Sequence, residues 1–411
     1  MGDVHVCLLD CSPLVDLLPV TVTGNIGATV YSRAAMRQSV PPDPRENPDE
    51  TPGALARDPA MESTARVRTP RRKLGTRTIH DVAALAGVSS ITVSRYFNAP
   101  EKVSPVVRDR LRQIILETGY VPSQMAGRLA SAESRVVGAV MQNTGSSTFA
   151  DLVKGMGDGF EGSGLQLLLA NTEYSQEREE RAVRAFMGWH PSALILTRDD
   201  HTPESEALLR AARCPIVETW GVVPGRPFHQ VGFPHADIGK ELARHFLEQG
   251  ARRIRFALRQ APQDFRAQQR ALGYAQEMVG AGLTPDVQAS SCDDELDAGA
   301  QMLERLSLEP PDQRPQAVIF ASDNMAVGAI LAAPARGIRF PQDFAIAGFG
   351  DAPIAGRMQP ALTTVRPRPY DIGLKAAQVV LSLKAGREND APPATHVVPC
   401  ELIVRDSSRL R

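Results

Sequence analysis

The apolar positions between residues 78 and 98 fall into two short helical faces separated by a tight turn. Over 79–86, Ile79, Val82, Ala83 and Ala86 stand at i, i+3, i+4 and i+7, one side of a helix. Gly87 ends that helix and supplies the positive φ of the turn, and Ser89 can cap the next helix through its hydroxyl. In the second helix Val93, Tyr96 and Phe97 can face inward, which places Ser90, Ile91, Ser94 and Arg95 on the opposite face. A third stripe, Val107, Leu111, Ile114 and Ile115, opens at Ser104-Pro105, a cap with proline at the first helical position, and stops at Gly119. Two short helices around a turn, the second with an exposed mixed face, have the shape that enters a DNA major groove; a plain helical hairpin is the alternative.

From residue 136 the pattern becomes strand–helix alternation. Short β-type apolar runs lie at 136–141, 165–170, 193–197, 215–218, 230–233, 254–258, 317–320 and 344–347. Helical stretches at 149–161, 176–187, 237–249, 264–280, 293–306 and 324–336 separate most of them. Alternation of this kind predicts parallel sheets flanked by helices, with ligands bound beyond the carboxyl ends of the strands. Residues 1–60 carry no sustained periodicity, and the acid- and proline-rich 41–60 reads as disordered. Met61 precedes a basic arm with Arg66, Arg68, Arg71, Arg72 and Lys73, so the working protein is expected to begin at or near Met61.

Composition and charge sharpen this picture. At 411 residues, 43% hydrophobic and 23% charged, the chain has room for two or three globular domains. No apolar run approaches the ~18 residues of a membrane span, and Asp10 and Asp16 interrupt the apolar N-terminus where a signal peptide would need continuity. Five scattered cysteines fit reduced cytoplasmic thiols; Cys7 and Cys11 have no companion ligands, so no metal site is expected. The net charge of −1 hides an asymmetry. Residues 61–131 hold twelve Arg and Lys against five Asp and Glu, a balance of +7, which leaves −8 for the remainder. A basic headpiece on an acidic body is the footprint of a nucleic-acid binder with a separate regulatory domain.

The headpiece motif DVAALAGVSSITVSR, the third helix, and then YVPSQMAGRLA together resemble the headpiece and hinge of the lactose-repressor (LacI) family of bacterial transcription regulators. The likeness runs from 78 to about 405 and leans toward the gluconate-operon repressors through LILTRDDHTPE, PIVETW and AIAGFGDAPIAGRMQPALTTVRPRPYDIG. It implies a helix-turn-helix domain at 78–121, a hinge at 122–134 and, over 135–411, a two-lobed core like a periplasmic sugar-binding protein, after an extension and arm at 1–77. By the same resemblance Ser90, Ile91 and Arg95 read the operator half-site. Arg95 would fork onto guanine, a contact worth ~1–3 kcal/mol of discrimination, and Ile91 would pack on a thymine methyl. Thr78, Thr92, Ser94 and Asn98 are expected on phosphates, which position without specifying. Leu129 matches the residue that wedges into the minor groove from a hinge helix folding only on DNA.

For the effector, the family pattern points to Phe149, Asp237, Arg270, Ser322 and Asp351, with Arg270 pairing a ligand carboxylate through two parallel hydrogen bonds. Asp323 reads better as a structural cap. Two departures stand near the cleft: Pro234-His235 where the family has Asp-Asn, and Ser322 where Asn is common. The expected protein is a cytoplasmic, nucleoid-associated dimeric repressor that binds a palindromic operator, is released by a sugar acid such as gluconate, and needs no cofactor. A neutral-sugar inducer or a purine-like corepressor is the alternative, and a sugar receptor without DNA work a more distant one. No GxSxG, HExxH or GxxxxGK[ST] motif supports an enzyme. Gly155, Gly157 and Gly159 sit inside a helical pattern instead of a phosphate-binding turn.

Overall fold

The computed structural model describes residues 77–122, 134–144, 147–261, 264–386 and 392–410. The basic arm and Leu129 lie outside the described residues. Contacts divide the chain into two units with the boundary at 132–133, and the headpiece and the core are described separately.

In the headpiece, α1 (Ile79–Ala86), α2 (Ser90–Asn98) and α3 (Pro105–Thr118) enclose a small core of Val82, Ala83, Ala86, Val93, Leu111 and Tyr120. Thr78 and Asp81 form a reciprocal capping box on α1, and Gly87 closes it in the left-handed region at φ 63°. The Ser89 hydroxyl accepts the Thr92 N–H at 3.3 Å, which starts α2 at Ser90. Phe97 departs from its expected inward role: it is 37% exposed, with an edge-on contact to Tyr96 and a tilted one to Tyr120. Val93, fully buried one turn earlier, fills the helix interface that a headpiece of this size can offer.

The core holds two six-stranded sheets. The first contains β1 (Val136–Met141), β2 (Gln166–Asn171), β3 (Ala193–Leu196), β4 (Ile216–Gly221), β5 (His229–Phe233) and β11 (Thr395–Val397), in the order β11-β5-β4-β3-β1-β2. The second contains β6 (Ile254–Arg259), β7 (Asp286–Ser290), β8 (Ala317–Phe320), β9 (Ala345–Phe349), β10 (Thr363–Arg366) and β12 (Glu401–Ile403), in the order β12-β10-β9-β8-β6-β7. All pairs are parallel except β10 with β12, a departure from the purely parallel expectation. The first sheet is dressed by α4 (Ser147–Phe160), α5 (Gln176–Gly188), α6 (Pro203–Arg210) and α11 (Pro369–Lys384). The second is dressed by α7 (His235–Glu248), α8 (Phe265–Gly280), α9 (Glu295–Leu308) and α10 (Asp323–Ala332). The chain therefore passes between the lobes three times, after β5, after β10 and after β11.

Three helix pairs close on facing glycines. A Cβ on Gly155 of α4 would lie 2.1 Å from the Tyr370 carbonyl oxygen, and one on Gly373 of α11 2.0 Å from that of Leu152. Gly239 and Gly273 join α7 to α8, and Gly299 and Gly328 join α9 to α10, in the same way. Only the absence of a side chain lets these backbones meet, so Gly155 serves helix packing, as does Gly159, whose Cβ would lie 2.6 Å from that of Ala377. Each sheet reverses direction of progression beside its first strand, at β1/β3 and β6/β8, the crevices where open α/β sheets bind ligands.

Candidate functional site

On α2, Ile91 is 62% exposed and Arg95 and Asn98 are exposed, while Val93 is buried on the other side. Ser90, Thr92 and Ser94 are half-buried between them. Since Ser89 supplies the cap, Ser90 is the first helical residue with its hydroxyl left over. Asn98 donates to the Ser94 carbonyl at 3.1 Å, and the Thr78 hydroxyl donates to Asp81 at 2.9 Å, so both groups already have partners within the headpiece. The recognition face expected from periodicity thus stands clear of the headpiece core, with one guanidinium and one exposed aliphatic side chain at its centre.

The second site is a cleft of about 770 Å³ between the core lobes. Strand ends build it: Asn143 follows β1, Trp220 lies on β4, Arg259 ends β6, Ala321 and Ser322 follow β8, and Phe349 ends β9. Phe149 stacks on Trp220 at 5.4 Å, and Phe233 continues the aromatic row to Phe349, 6.0 Å away in the other lobe. Trp220 holds a positive φ of 80°, a strained backbone for a bulky residue, and here it faces the cleft.

Two guanidiniums form the charged part of the floor. Arg266 and Arg270 are one turn apart on α8 and are 6% and 5% exposed. Arg270 donates to the Ala321 carbonyl at 2.9 Å and to His235 Nδ1 at 3.0 Å, and lies over the Phe349 ring at 4.3 Å. Arg266 donates across the cleft to the Thr197 carbonyl. Each Nε is buried without a partner, and among the described residues neither arginine makes an ion pair. Burial pulls both below the usual guanidinium range, Arg266 to about 10. His235 is neutral: burial, then the neighbouring Arg270 and Arg266, hold it well below the ordinary imidazole range.

Four carboxylates of the cleft are already engaged. Asp264 caps α8 and Asp294 caps α9. Glu295 accepts from Asn324 at 2.8 Å. Asp323 accepts from Thr364 Oγ1 at 2.6 Å and from the Ala352 N–H at 2.7 Å, which suits the structural role expected of it. Burial raises Asp323 to about 6, with those hydrogen bonds opposing.

Phe149, Arg270 and Ser322 line the cleft; Asp237 and Asp351 do not. Asp237 stands in the first turn of α7 with its side chain 63% exposed, 3.4 Å from Lys240, because that helix turns its apolar residues, not this one, inward. Asp351 is clamped by Arg366 at 2.6 Å and Arg405 at 2.7 Å, facing the β10–β12 side of its sheet. Ser322 spends its hydroxyl on capping α10, accepting from Met325 N. Sequence reasoning missed Arg266, Trp220 and Tyr174, and it marked His235 only as a departure near the cleft. Arg266 was available as the residue four before Arg270, the spacing of one helix face.

The two described regions also match known families. A family of bacterial regulatory proteins, the lacI family, matches residues 78–123, and a periplasmic binding protein-like domain matches 243–408. The HTH-type transcriptional regulator IdnR of Escherichia coli K12 is 31% identical over 304 residues, covering 74% of this chain and 91% of that protein. The HTH-type transcriptional regulator GntR of Pseudomonas aeruginosa is 30% identical over 325 residues, covering 77% and 92%. A LacI-family transcriptional regulator from Silicibacter pomeroyi shares the fold with a TM-score of 0.73 at 28% identity, covering 81% of this chain and 100% of that one. With its helix-turn-helix headpiece, its two-lobed core and these relatives, the chain belongs to the LacI family of DNA-binding transcription regulators.

Proposed function

We propose that this regulator represses transcription by binding a palindromic operator as a dimer and is released by a sugar acid of the gluconate type. The cleft carries the effector half of this reading. It holds Arg266 and Arg270 in a buried site where, among the described residues, no carboxylate comes within ion-pair range, next to an aromatic row suited to a sugar ring's apolar face. A buried charge without a partner is costly, and an anionic ligand supplies the partner. The engaged carboxylates keep lone pairs for sugar hydroxyls. Ser90, Ile91 and Arg95 read bases, Thr78, Thr92, Ser94 and Asn98 face phosphates, and Leu129 wedges the minor groove. The dimer is supported by the edge strand β2, where Leu168 and Leu169 are 38% and 47% exposed, an edge that a second copy would cover.

The experiment is a thermal-shift screen of the purified chain with gluconate, its phosphate, glucose and a purine, because a ligand of the folded cleft raises stability by mass action. The expected result is stabilisation by a sugar acid and release of DNA selected from random sequence. Stabilisation by glucose or the purine alone refutes the acidic-effector reading. Selection that yields no palindrome refutes the operator reading.

A further inference from the structure

We propose that His235 sets the charge preference of the cleft as a positioning residue for Arg270. The inference rests on the reading of Arg270 as the group that receives an anion. His235 is the first residue of α7 and only 1% exposed, and it sits behind the cleft instead of lining it. Its Nδ1 lies 3.0 Å from Arg270 Nη1. An arginine can only donate, so Nδ1 accepts and the ring proton resides on Nε2. The ring is wedged against Phe233, with centroids 4.6 Å apart, and near Phe349 at 6.0 Å.

Two consequences follow from that single hydrogen bond. The guanidinium is held by two neutral acceptors, the imidazole nitrogen and the Ala321 carbonyl, over an aromatic face. Its orientation is fixed while its full charge remains for the ligand. A carboxylate at 235 would orient Arg270 equally well and cancel that charge before any ligand arrived. The second consequence concerns Nε2, which is buried with no hydrogen-bond partner. A purely packing role would be filled better by leucine or phenylalanine, which bring no unsatisfied donor. The histidine bears that cost and returns one acceptor, aimed at Arg270.

The test uses the full chain and calorimetric titration with D-gluconate and D-glucose. His235→Asn keeps a neutral acceptor and is expected to bind gluconate within threefold of wild type. His235→Asp is expected to weaken gluconate at least tenfold and to leave glucose binding unchanged or stronger. His235→Leu leaves Arg270 unheld and is expected to weaken gluconate severalfold, with His235→Asn as the rescuing variant. Gluconate bound as tightly by His235→Asp as by wild type overturns the proposal. If His235→Asp does not fold, equal gluconate affinity in His235→Leu and wild type overturns it. When wild type binds gluconate and every variant does too, His235 alone is misread. When wild type binds glucose but not gluconate, the acidic-ligand reading falls and the proposal with it.

Discussion

His201 lies between two glutamates in the N-terminal lobe, and its charge state makes a sharp prediction. Its Nδ1 is 2.6 Å from Glu179 Oε1 and its Nε2 is 3.1 Å from Glu218 Oε1, with all three side chains nearly inaccessible. Ionised carboxylates only accept, so a ring between two of them needs a proton on each nitrogen and is an imidazolium. Burial opposes that charge, but the hydrogen bonds to Glu179 and Glu218 outweigh it and lift His201 from 6.5 to about 9. A pKa raised on folding adds stability that is fully present below pH 6.5 and is lost as pH rises through about 9. Linkage puts the contribution at roughly 2–3 kcal/mol at pH 7, with most of it gone by pH 9. For a core of this size the loss of about 2 kcal/mol lowers Tm by roughly 3–4 °C. His201→Gln cannot titrate, so the gap in Tm between wild type and variant should narrow by that amount from pH 7 to pH 9. Groups titrating elsewhere move both proteins and cancel in the difference. Parallel curves for the two proteins over that range would refute the imidazolium and the argument built on it.

Four further outcomes are expected. Gly273→Ala should destabilise the core by at least ~1–3 kcal/mol in chemical denaturation, because its Cβ would lie 1.8 Å from the Ala236 carbonyl oxygen and backbone cannot yield as a side chain does. Arg95→Ala should weaken operator binding by ~1–3 kcal/mol and leave effector affinity untouched, measured by gel shift and calorimetry on the same preparation. Arg270→Ala should still bind operator yet no longer release it with gluconate, and Arg270→Lys should rescue poorly since a point charge lacks the two-pronged geometry. Affinity for operator should fall steeply with salt, and a slope near zero would refute phosphate neutralisation by the headpiece.

Much of this architecture was legible from local pattern, because helices and strands bury faces with fixed periods of 3.6 and 2. The apolar faces read from spacing supply Val82, Ala83, Ala86 and Leu111 to the headpiece core, and β1 and β8 have the bounds that their apolar runs imply. Strand β7 was not identified, since an edge strand reading Asp-Val-Gln-Ala-Ser has no apolar run to announce it. Helix α11, although strongly apolar, could not be assigned to the first lobe, because that depends on a chain crossing that no local window contains. The family pattern points to Phe149, Arg270 and Ser322, which line the cleft, and to Asp237 and Asp351, which do not. Whether a carboxylate faces a cleft or a neighbouring arginine is a matter of a few ångströms between segments far apart in sequence. The pairing of Asp351 with Arg405, 54 residues away, is invisible to spacing. The sequence by itself determined most of the buried strands and amphipathic helices and that a basic reading head precedes an α/β body. Tertiary structure alone decided which charges are left without partners, because desolvation and pairing depend on what packs around a group in three dimensions.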